Sequence, residues 1–400
     1  MGLRQNLEDF ARDFCTRIDG ATELVQNIFT RIRHPTPRLP AHNFRGKVCI
    51  ITGGNAGVGQ ATAEAMVARG ARVIIACRDE GRAHAAAEVL STTKTHEGCE
   101  GYPVEVGSLD LASLDSVRSF ASSFNARGLP LALLICNAGI MAPPKRLVTK
   151  DGFEQQFQVN YLGHWMLTHL LLAGQKRQRA NRSVHRNSNS HQDSTADQHP
   201  QHQHQFHSMS QAPKDSQQSV QQHSHRHANA ESDGTRVVML TSLTYKAGRI
   251  KFDDLRAERS YSGFHRYADS KLAELLAVKE FAERMDRSLD GPKNTIVAVH
   301  PGLLRTELAR KWLHNDYCPN LLQPVCSPVI NFLFNRTFLP PSYAVQAVLQ
   351  AATAPAGEVH GRYIARNKVT VPAKHAQDGV TARRLWDVSC QLTGITPDVL

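Results

Sequence analysis

A phenol and an ammonium group stand one helical turn apart in the run YADSK, as Tyr267 and Lys271. Side chains at positions i and i+4 share one face of a helix, so we expect these two groups to be neighbours. A phenol, with a reference pKa of about 10, is a poor base at neutral pH, but a nearby cation stabilises its phenolate. The pair therefore suits proton transfer to and from a substrate oxygen.

Ser242 ends the apolar run RVVMLTS and offers a hydroxyl for the same chemistry. It can donate a hydrogen bond to a substrate oxygen on which negative charge develops. Taken alone, a serine in this kind of position more often caps a helix or closes a turn. Its role in catalysis therefore depends on whether the fold brings it to Tyr267.

The run TGGNAGVG at 52–59 follows an apolar segment and opens a helical one. In that context a glycine-rich turn brings backbone N–H groups against a pyrophosphate. The glycine spacing by itself also fits a tight turn without a ligand. Support for a dinucleotide must come from the rest of the chain.

The end of the second apolar run bears on cofactor choice. Cys77 stands where NAD-binding sheets place a carboxylate for the ribose 2′-hydroxyl, and Arg78 follows it. A guanidinium there can hold a 2′-phosphate with two hydrogen bonds, so NADP is favoured, with NAD as the alternative. Asp79 leaves a second alternative open, since it can pair with Arg78 or bind the adenosine itself.

From residue 47 onward, strand-like and helical runs alternate. Buried strands are expected at KVCIITGG, ARVIIACR, LALLICNAG, RVVMLTS and NTIVAVHPG, each ending in small or polar residues. The alternation predicts βαβ units, and hence an α/β fold with a doubly wound parallel sheet of the Rossmann type. Ligands of such sheets lie at the carboxyl ends of the strands, where the groups above fall.

Two further segments define the predicted domain organisation. Residues 1–40 predict an amphipathic helix and a proline-rich linker, and balanced charges on the helix favour packing on its own domain or on a partner rather than on a membrane surface. Residues 41–400 form one domain, interrupted at 175–233 by a His/Gln/Ser-rich insertion that we expect to be disordered. The insertion enters at the sheet edge opposite the catalytic edge and should leave the site intact. The apolar stripe of the helix comprises Leu3, Leu7, Phe10, Phe14, Ile18, Ala21, Val25, Ile28 and Ile32.

Composition excludes several classes of protein. The 400 residues include 47 Lys and Arg against 36 Asp and Glu, a charge of +11 that favours phosphate-bearing ligands or anionic surfaces, but no basic block suits nucleic acid. Eight cysteines without a C-x-x-C pair argue against a disulfide framework or a zinc ribbon and for a reducing compartment. Histidines of the insertion are metal-ligand candidates, but such polar tracts usually bind nothing specific, so no metal is predicted.

Neither a signal-peptide core nor a membrane-crossing apolar run is evident in the sequence. N-terminal acylation is disfavoured too, because Asn6 stands where the myristoylation pattern needs Ser or Thr. We therefore expect a cytoplasmic protein. Peripheral contact with the endoplasmic reticulum or lipid droplets, and a homo-oligomer, stay open.

In combination these motifs resemble the short-chain dehydrogenase/reductase superfamily. TGGNAGVG resembles its T-G-x-x-x-G-x-G turn, CNAG its N-N-A-G and YADSK its Y-x-x-x-K, with FQVNYLGHW and HPGLLRTEL in the expected order. ACRD, LDLASLDSVRSF and DGFEQQFQVNYLGHW resemble the retinol dehydrogenase-like group, and LWDVSCQLTGI is similar to the tail of its X-linked (polyprenol dehydrogenase-like) branch. Two features depart from the pattern: Cys136 replaces the first Asn of N-N-A-G, and an amphipathic helix replaces the N-terminal membrane helix of many relatives.

The resemblance implies a role for each matched position. Tyr267 would be the general acid/base, Lys271 would lower its pKa and bind the nicotinamide ribose, Ser242 would polarise the carbonyl, and Asn160 would organise a proton-relay water. Hydride would pass to or from nicotinamide C4. Besides Tyr267, Lys271 and Arg78, the implied cofactor-binding residues are Gly53, Asn55, Gly57, Val58, Gly59, Asp110, Leu111, Asn137, Ala138, Gly139, Pro301, Gly302 and Thr306.

These expectations describe an NADP-preferring oxidoreductase for lipophilic alcohols, aldehydes or ketones of retinoid or polyprenoid type. The apolar segment 303–338 falls where the superfamily places its substrate lid, and its residues suit both lining a pocket and packing on the core. The alternative is a catalytically inactive nucleotide-binding scaffold that uses its insertion and N-terminal helix for protein contacts. The intact Ser242, Tyr267 and Lys271 count against it.

Overall fold

Eight strands form one sheet in the order β3-β2-β1-β4-β5-β6-β7-β8. Every neighbouring pair is parallel except β7 and β8, which are antiparallel. The strands are β1 Val48–Thr52, β2 Arg72–Cys77, β3 Glu105–Ser108, β4 Leu131–Cys136, β5 Arg236–Leu240, β6 Thr295–His300, β7 Tyr363–Ala365 and β8 Lys368–Thr370. The computed structural model describes residues 16, 19–24, 26, 43–96, 101–192, 234–288, 294–307, 309–310 and 323–396.

Helices connect the strands and cover both faces of the sheet. They are α1 Gly57–Val67, α2 Glu80–Ser91, α3 Leu114–Ala126, α4 Gly163–Gln192, α5 Gly263–Arg287, α6 Gln323–Thr337, α7 Pro341–Thr353, α8 Ala356–Val359 and α9 Gly379–Thr393. A π-helical turn, Phe157–Leu162, precedes α4, and 3₁₀ turns span Leu243–Ala247 and Lys374–Gln377. The predicted Rossmann-type α/β fold is confirmed.

Successive core residues of a strand lie on opposite faces of the sheet, as the two-residue period of a strand requires. Val48 and Ile50 of β1 join the hydrophobic cluster formed with α3, α4, α5 and α9, whereas Cys49 and Ile51 join the cluster formed with α1, α2 and α7. Burial on both faces explains why the five predicted strands are continuously apolar. Strands β3, β7 and β8 were not predicted, because they are short and several of their residues are only half-buried or exposed.

Helix α5, which carries Tyr267 and Lys271, is held by aromatic packing at its far end. The ring of Phe281 lies 4.7 Å from that of Trp386 on α9, and Trp386 lies 5.0 Å from Trp165 on α4, measured between centroids. Both contacts are edge-to-face, the arrangement that aromatic quadrupoles favour. This packing fixes the far end of α5 against α9 and, through Trp386, against α4.

Helix α4 extends further than the sequence predicted. Disorder was expected from Gln175, but α4 continues to Gln192, and Gln175 is only 3% exposed. Its Oε1 accepts a hydrogen bond from Leu131 N at 2.9 Å and its Nε2 donates to Leu129 O at 3.1 Å. Gln175 therefore provides hydrogen-bond partners for backbone groups at the start of β4. The predicted start of the disordered insertion at residue 175 is therefore wrong. The polar side chain at this position is part of an ordered helix and forms hydrogen bonds at the start of β4. Residues 193–233 of the predicted insertion lie outside the described part of the chain.

This correction leads to a test with two deletions. Replacing residues 184–232 with a short Gly/Ser linker should leave the melting temperature nearly unchanged, because loop length costs only about 0.6 kcal/mol per doubling. Deleting from Gln175 should lower it, because each buried polar group left unpaired costs about 1–3 kcal/mol. Thermal denaturation compares the two proteins. Equal melting temperatures would show that the Gln175 contacts are dispensable.

Candidate active site

A cavity of about 1240 Å³ opens at the carboxyl ends of β1, β2, β4, β5 and β6. The chain leaves β1 towards β2 and β3, and returns through β4 towards β5, so this edge is the topological switch point of the sheet. Of the predicted site residues, all line this cavity except Gly59 and Asn160. The fold thus brings residues from five strand ends into one site.

The glycine-rich turn between β1 and α1 has the shape of a phosphate cradle. Gly53 and Gly57 have φ angles of +65° and +56°, which non-glycine residues rarely adopt. A Cβ at Gly59 would lie 2.2 Å from Gly53 O, so Gly59 closes the turn instead of lining the cavity. The N-cap of α1, Ala56, provides no side-chain cap, which leaves helix N–H groups available to an anion. The turn therefore fits the pyrophosphate of a dinucleotide.

Thr52 joins this turn to the end of β4. Its Oγ1 accepts hydrogen bonds from Asn137 N at 2.9 Å and Ala138 N at 3.0 Å, and lies 2.9 Å from His164 Nε2. Burial lowers the pKa of His164 to about 4, so the ring is neutral at physiological pH. Neither residue was predicted as part of the site. Thr52 could have been predicted as a site residue, because it is the first residue of TGGNAGVG. No motif or spacing in the sequence indicates His164.

The cavity lining after β2 carries charges of both signs, and Asp79 is its acidic member. Arg78 lines the cavity here, as does Arg82 on the first turn of α2, which the sequence reasoning missed. Asp79 caps α2, its Oδ1 accepting a hydrogen bond from Arg82 N at 3.0 Å, so its carboxylate has a structural role. Burial raises the pKa of the Cys77 thiol, which keeps that position neutral. This part of the lining offers guanidinium groups where an NAD-binding sheet offers a carboxylate.

The proton-transfer pair also lines the cavity and is deeply buried. Tyr267 is 7% and Lys271 5% exposed, and Lys271 Nζ lies 5.7 Å from the centroid of the Tyr267 ring. Burial raises the pKa of Tyr267, while the Lys271 ammonium and a hydrogen bond from Ser242 act to lower it. Ser242 also caps the 3₁₀ turn, accepting from Thr244 N at 3.3 Å. The two roles weighed for this serine are therefore compatible.

Asn160 lies behind the cavity wall. Its side chain is bonded twice to the backbone of Ile140, at 2.9 and 3.0 Å, and its Nδ2 also donates to Ser270 Oγ at 2.9 Å. The residue sits in the π-helical turn and is fully buried. It braces the end of β4 against α5. Its role with a relay water stays a prediction.

The described part of the N-terminal helix closes one side of the cavity. Thr16, Gly20, Ala21 and Leu24 line it. Ala21 is the one stripe residue within the described positions, and the other eight lie outside them. The helix thus lies against its own domain, and no pattern in the sequence indicated that it would face the cavity.

A buried carboxylate anchors this helix. Glu23, 4% exposed, accepts a hydrogen bond from Leu303 N at 2.8 Å through Oε1, and its Oε2 lies 3.1 Å from His300 Nε2. Burial acts to raise the pKa of Glu23, but His300 and the Leu303 hydrogen bond outweigh it, and the pKa is lowered. An ion pair between Asp19 and Lys246 adds a second contact.

Helix α6 and the residue that follows it supply an apolar wall of the cavity. Ile330, Leu333, Phe334 and Phe338 line the cavity. Phe334 and Phe338 are each 6% exposed, with ring centroids 4.6 Å apart, so they pack on the core as well as line the pocket. Position 308 and residues 311–322 of the predicted lid lie outside the described residues. Sequence reasoning also missed other lining residues, among them Met141, Gln155, Phe264 and His265.

A sheet that holds a phosphate cradle at one strand end and a phenol–ammonium pair at another has the layout of a nicotinamide-dependent oxidoreductase. The family model described as short chain dehydrogenase matches residues 47–196. Retinol dehydrogenase 12 of Mus musculus is 35% identical over 352 residues, which cover 88% of this chain and 87% of that protein. Retinol dehydrogenase 14 of Homo sapiens is 34% identical over 361 residues, covering 88% of each chain.

The chain therefore belongs to the short-chain dehydrogenase/reductase family, whose members are NAD(P)-dependent oxidoreductases acting on alcohols. The resemblance to the retinol dehydrogenase-like group is confirmed. The finer similarity to the polyprenol dehydrogenase-like branch stays a prediction.

Solved structures share the fold. The crystal structure of an uncharacterised protein from Mycobacterium paratuberculosis is 27% identical, with a TM-score of 0.58 over 89% of this chain and 96% of that one. Levodione reductase, 15% identical, matches with a TM-score of 0.53 over 85% of this chain and 99% of its own, and shows the fold alone. Among the described residues, no helix combines the length and apolar character needed to cross a bilayer.

The Glu23 anchor can be tested by substitution. Glu23→Ala should destabilise the docked helix, because it removes the charged acceptor of the Leu303 N hydrogen bond, and a hydrogen bond to a charged group contributes about 1.5–3 kcal/mol. Glu23→Gln retains an acceptor, so its melting temperature should lie between those of Glu23→Ala and wild type. Hydrogen exchange at Leu303 N–H and the melting temperature report the effect.

The pH dependence has a defined sign. Because the pKa of Glu23 is lowered in the folded protein, its stabilisation is complete above the ordinary glutamate pKa and is lost as pH falls through the folded value. The difference between wild type and Glu23→Ala should therefore shrink in acid. Glu88→Ala, at an exposed position of α2, is the control. Unchanged exchange at Leu303 in Glu23→Ala would contradict the anchor.

Proposed function

We propose that this protein is an NADP-preferring oxidoreductase that interconverts a lipophilic alcohol with its aldehyde or ketone. The observation that carries the proposal is the convergence of Tyr267, Lys271 and Ser242 on the same cavity as the glycine-rich turn. The family assignment supports catalysis over the alternative of an inactive scaffold. NAD stays the second choice of cofactor.

The chain offers contacts for each part of the dinucleotide. The glycine-rich turn and the N-terminus of α1 suit the pyrophosphate, and Arg78 suits a 2′-phosphate. When bound, the nicotinamide supplies or accepts a hydride at C4. The residues proposed to hold the cofactor are Gly53, Asn55, Gly57, Val58 and Gly59 in the turn, Asp110, Leu111, Asn137, Ala138 and Gly139 at the adenosine side, and Pro301, Gly302 and Thr306 at the carboxamide.

Proton transfer falls to Tyr267. In alcohol oxidation the carbinol carbon loses a hydride, and the substrate hydroxyl passes its proton to the Tyr267 phenolate. In the reverse direction the phenol returns that proton to the carbonyl oxygen as the hydride arrives. Lys271 stabilises the phenolate, and Ser242 holds the substrate oxygen on which charge develops.

The apolar walls support a lipophilic substrate. Leu333 and Phe334 of α6 and Leu24 of the N-terminal helix face the cavity. The relatives named retinol dehydrogenases support a retinoid-like alcohol, with a polyprenoid as an extension of the same chemistry. Such a substrate resides in lipid, so we include peripheral contact with the endoplasmic reticulum or lipid droplets. Phe332, which is 60% exposed and outside the cavity lining, supports that contact.

The acid/base assignment is tested by Tyr267→Phe. This change removes the transferable proton but no bulk from the cavity, so kcat should fall by about 10²–10⁴-fold while the nucleotide dissociation constant changes only a few-fold. Steady-state turnover of a retinoid, polyprenoid and simple-carbonyl panel and fluorescence titration with NADPH measure the two quantities. Tyr102→Phe, which alters an exposed tyrosine, is the matched control. Turnover within a few-fold of wild type would refute the role.

Cofactor choice is tested by Arg78→Ala. A hydrogen bond to a charged group contributes about 1.5–3 kcal/mol. The kcat/KM for NADP(H) should therefore fall roughly ten- to a hundred-fold, since tenfold is about 1.4 kcal/mol. The kcat/KM for NAD(H) should change little. Arg82→Ala should likewise lower kcat/KM for NADP(H) more than for NAD(H), but by a smaller factor. Arg259→Ala, at an exposed ion pair outside the cavity lining, is the control. A wild type that prefers NAD(H), or equal losses with both cofactors, would overturn the assignment.

A further inference from the structure

A buried carboxylate lies beside the proposed catalytic pair, and none of the roles above uses it. Glu274 is on α5, one turn beyond Lys271, and only 1% of its surface is exposed. Its Oε1 accepts a hydrogen bond from Lys271 Nζ at 2.7 Å, and the same ammonium donates to Leu240 O at 3.0 Å. The Lys271 ammonium is therefore held between the end of β5 and Glu274, on the floor of the cavity.

Among the residues that the structure describes, the other groups that face this pair are neutral at physiological pH. Cys136 at the end of β4 faces both groups, and burial raises the pKa of its thiol to about 12. His164 on α4 faces Lys271, and burial lowers the pKa of its ring to about 4. Thr241 of the β5 end and the phenol of Tyr267 complete the shell. The charge next to Tyr267 is thus set by Lys271 and Glu274 together.

Burying an ionised carboxylate is costly even when it is paired. Burial raises the pKa of Glu274 to about 7, although the Lys271 ammonium acts to lower it. Burial therefore opposes the charged form of this carboxyl, and the Lys271 ammonium favours it. Its charge in turn acts on the phenol, since the Glu274 carboxylate raises the pKa of Tyr267 and the Lys271 ammonium lowers it.

We propose that Glu274 is a positioning residue for proton transfer: it holds the Lys271 ammonium against Leu240 O and compensates its charge, and so sets the pH at which Tyr267 gives up its proton. The inference rests on the proposed function of Tyr267. When the Glu274 carboxyl is ionised, its negative charge partly neutralises that of the Lys271 ammonium, so the ammonium stabilises the Tyr267 phenolate less. With the carboxyl protonated, the full positive charge of Lys271 acts on Tyr267 and favours the phenolate.

Glu274→Gln separates charge from shape. The amide is nearly the same size and retains an oxygen that accepts from Lys271 Nζ, while the negative charge is lost. The acid limb of the pH profile for alcohol oxidation should move about one pH unit lower, the scale on which a close charge shifts a pKa. The effect should fall on kcat, with little change in KM for the alcohol, because Glu274 does not line the cavity.

A second readout needs no substrate. Ultraviolet difference titration of each protein against its Tyr267→Phe counterpart isolates the phenolate of Tyr267. In Glu274→Gln this titration should move to lower pH, in the same direction as the kinetic limb. Glu274→Ala removes the same charge and should shift the titration likewise, so the test survives if one variant fails to fold. Glu274→Asp keeps the charge and should stay near wild type.

The same helix contains a matched control. Glu280 is also 1% exposed and pairs with a cation on α5, its Oε1 lying 2.8 Å from Arg284 Nε. Arg284 in turn lies over the Trp386 ring, at 4.4 Å from its centroid, and neither Glu280 nor Arg284 lines the cavity. Glu280→Gln should lower the melting temperature about as much as Glu274→Gln, yet leave both pH profiles at their wild-type positions.

The possible outcomes separate this inference from the proposed function. Superimposable phenolate titrations of wild type and Glu274→Gln would overturn it, as would an equal shift in Glu280→Gln. Absence of turnover with every alcohol tested would refute the proposed function, while the phenolate titration would still decide the role of Glu274. A shift confined to Glu274→Gln and Glu274→Ala supports the inference.

Discussion

The hydroxyl of Thr52 is the junction on which the geometry of the cavity depends. His164 Nδ1 lies 2.8 Å from Asn160 O, and since a carbonyl only accepts, Nδ1 carries the proton of the neutral ring. Nε2 is therefore an acceptor, and the Thr52 hydroxyl donates to it while accepting from Asn137 N and Ala138 N. One side chain thus fixes the ends of β1 and β4 and the start of α4 without an unpaired polar atom. Removing it would leave two half-buried N–H groups, of Asn137 and Ala138, without this acceptor at the point where the strand order reverses.

Two buried carboxylates likewise hold parts of the chain together on the other side of the cavity. Glu23 ties the N-terminal helix to the segment after β6, and Glu274 ties Lys271 to α5 itself. Neither carboxylate could be buried alone, because desolvation costs several kcal/mol per ion, on the order of the stability of a whole domain. Each is therefore found where a cation or a titratable ring stands opposite it. The contact made by Glu23 joins segments 277 residues apart, one of them outside the sheet.

The sequence predicted five of the eight strands and the strand ends that line the cavity, and it did not predict the other three strands, for identifiable physical reasons. Long apolar runs and a glycine-rich turn are local signals, and they located β1, β2, β4, β5 and β6 and their ends correctly. Strand β3 is four residues long and contains Gly107, so neither periodicity nor propensity marks it. Gln175 looked like the first residue of a polar tract, because its partners at the start of β4 are 44 and 46 residues away. Glu23 and Glu274 gave no signal either, since a carboxylate on a helix is ordinarily a solvent-exposed residue.

The two sides of the cavity are built in different ways, and this difference bears on specificity. The cofactor side consists of strand ends and the first turns of helices, whose positions follow from the parallel sheet itself. A protein only 15% identical, levodione reductase, accordingly shares the fold. The substrate side consists of α6 and the N-terminal helix, which lie outside the sheet and are held by a few side chains such as Glu23, Phe334 and Phe338. Segments held in this way can change between relatives without disturbing strand order. In the proposed function these two helices would therefore select the substrate, while the strand ends and α5 would position the groups for hydride and proton transfer.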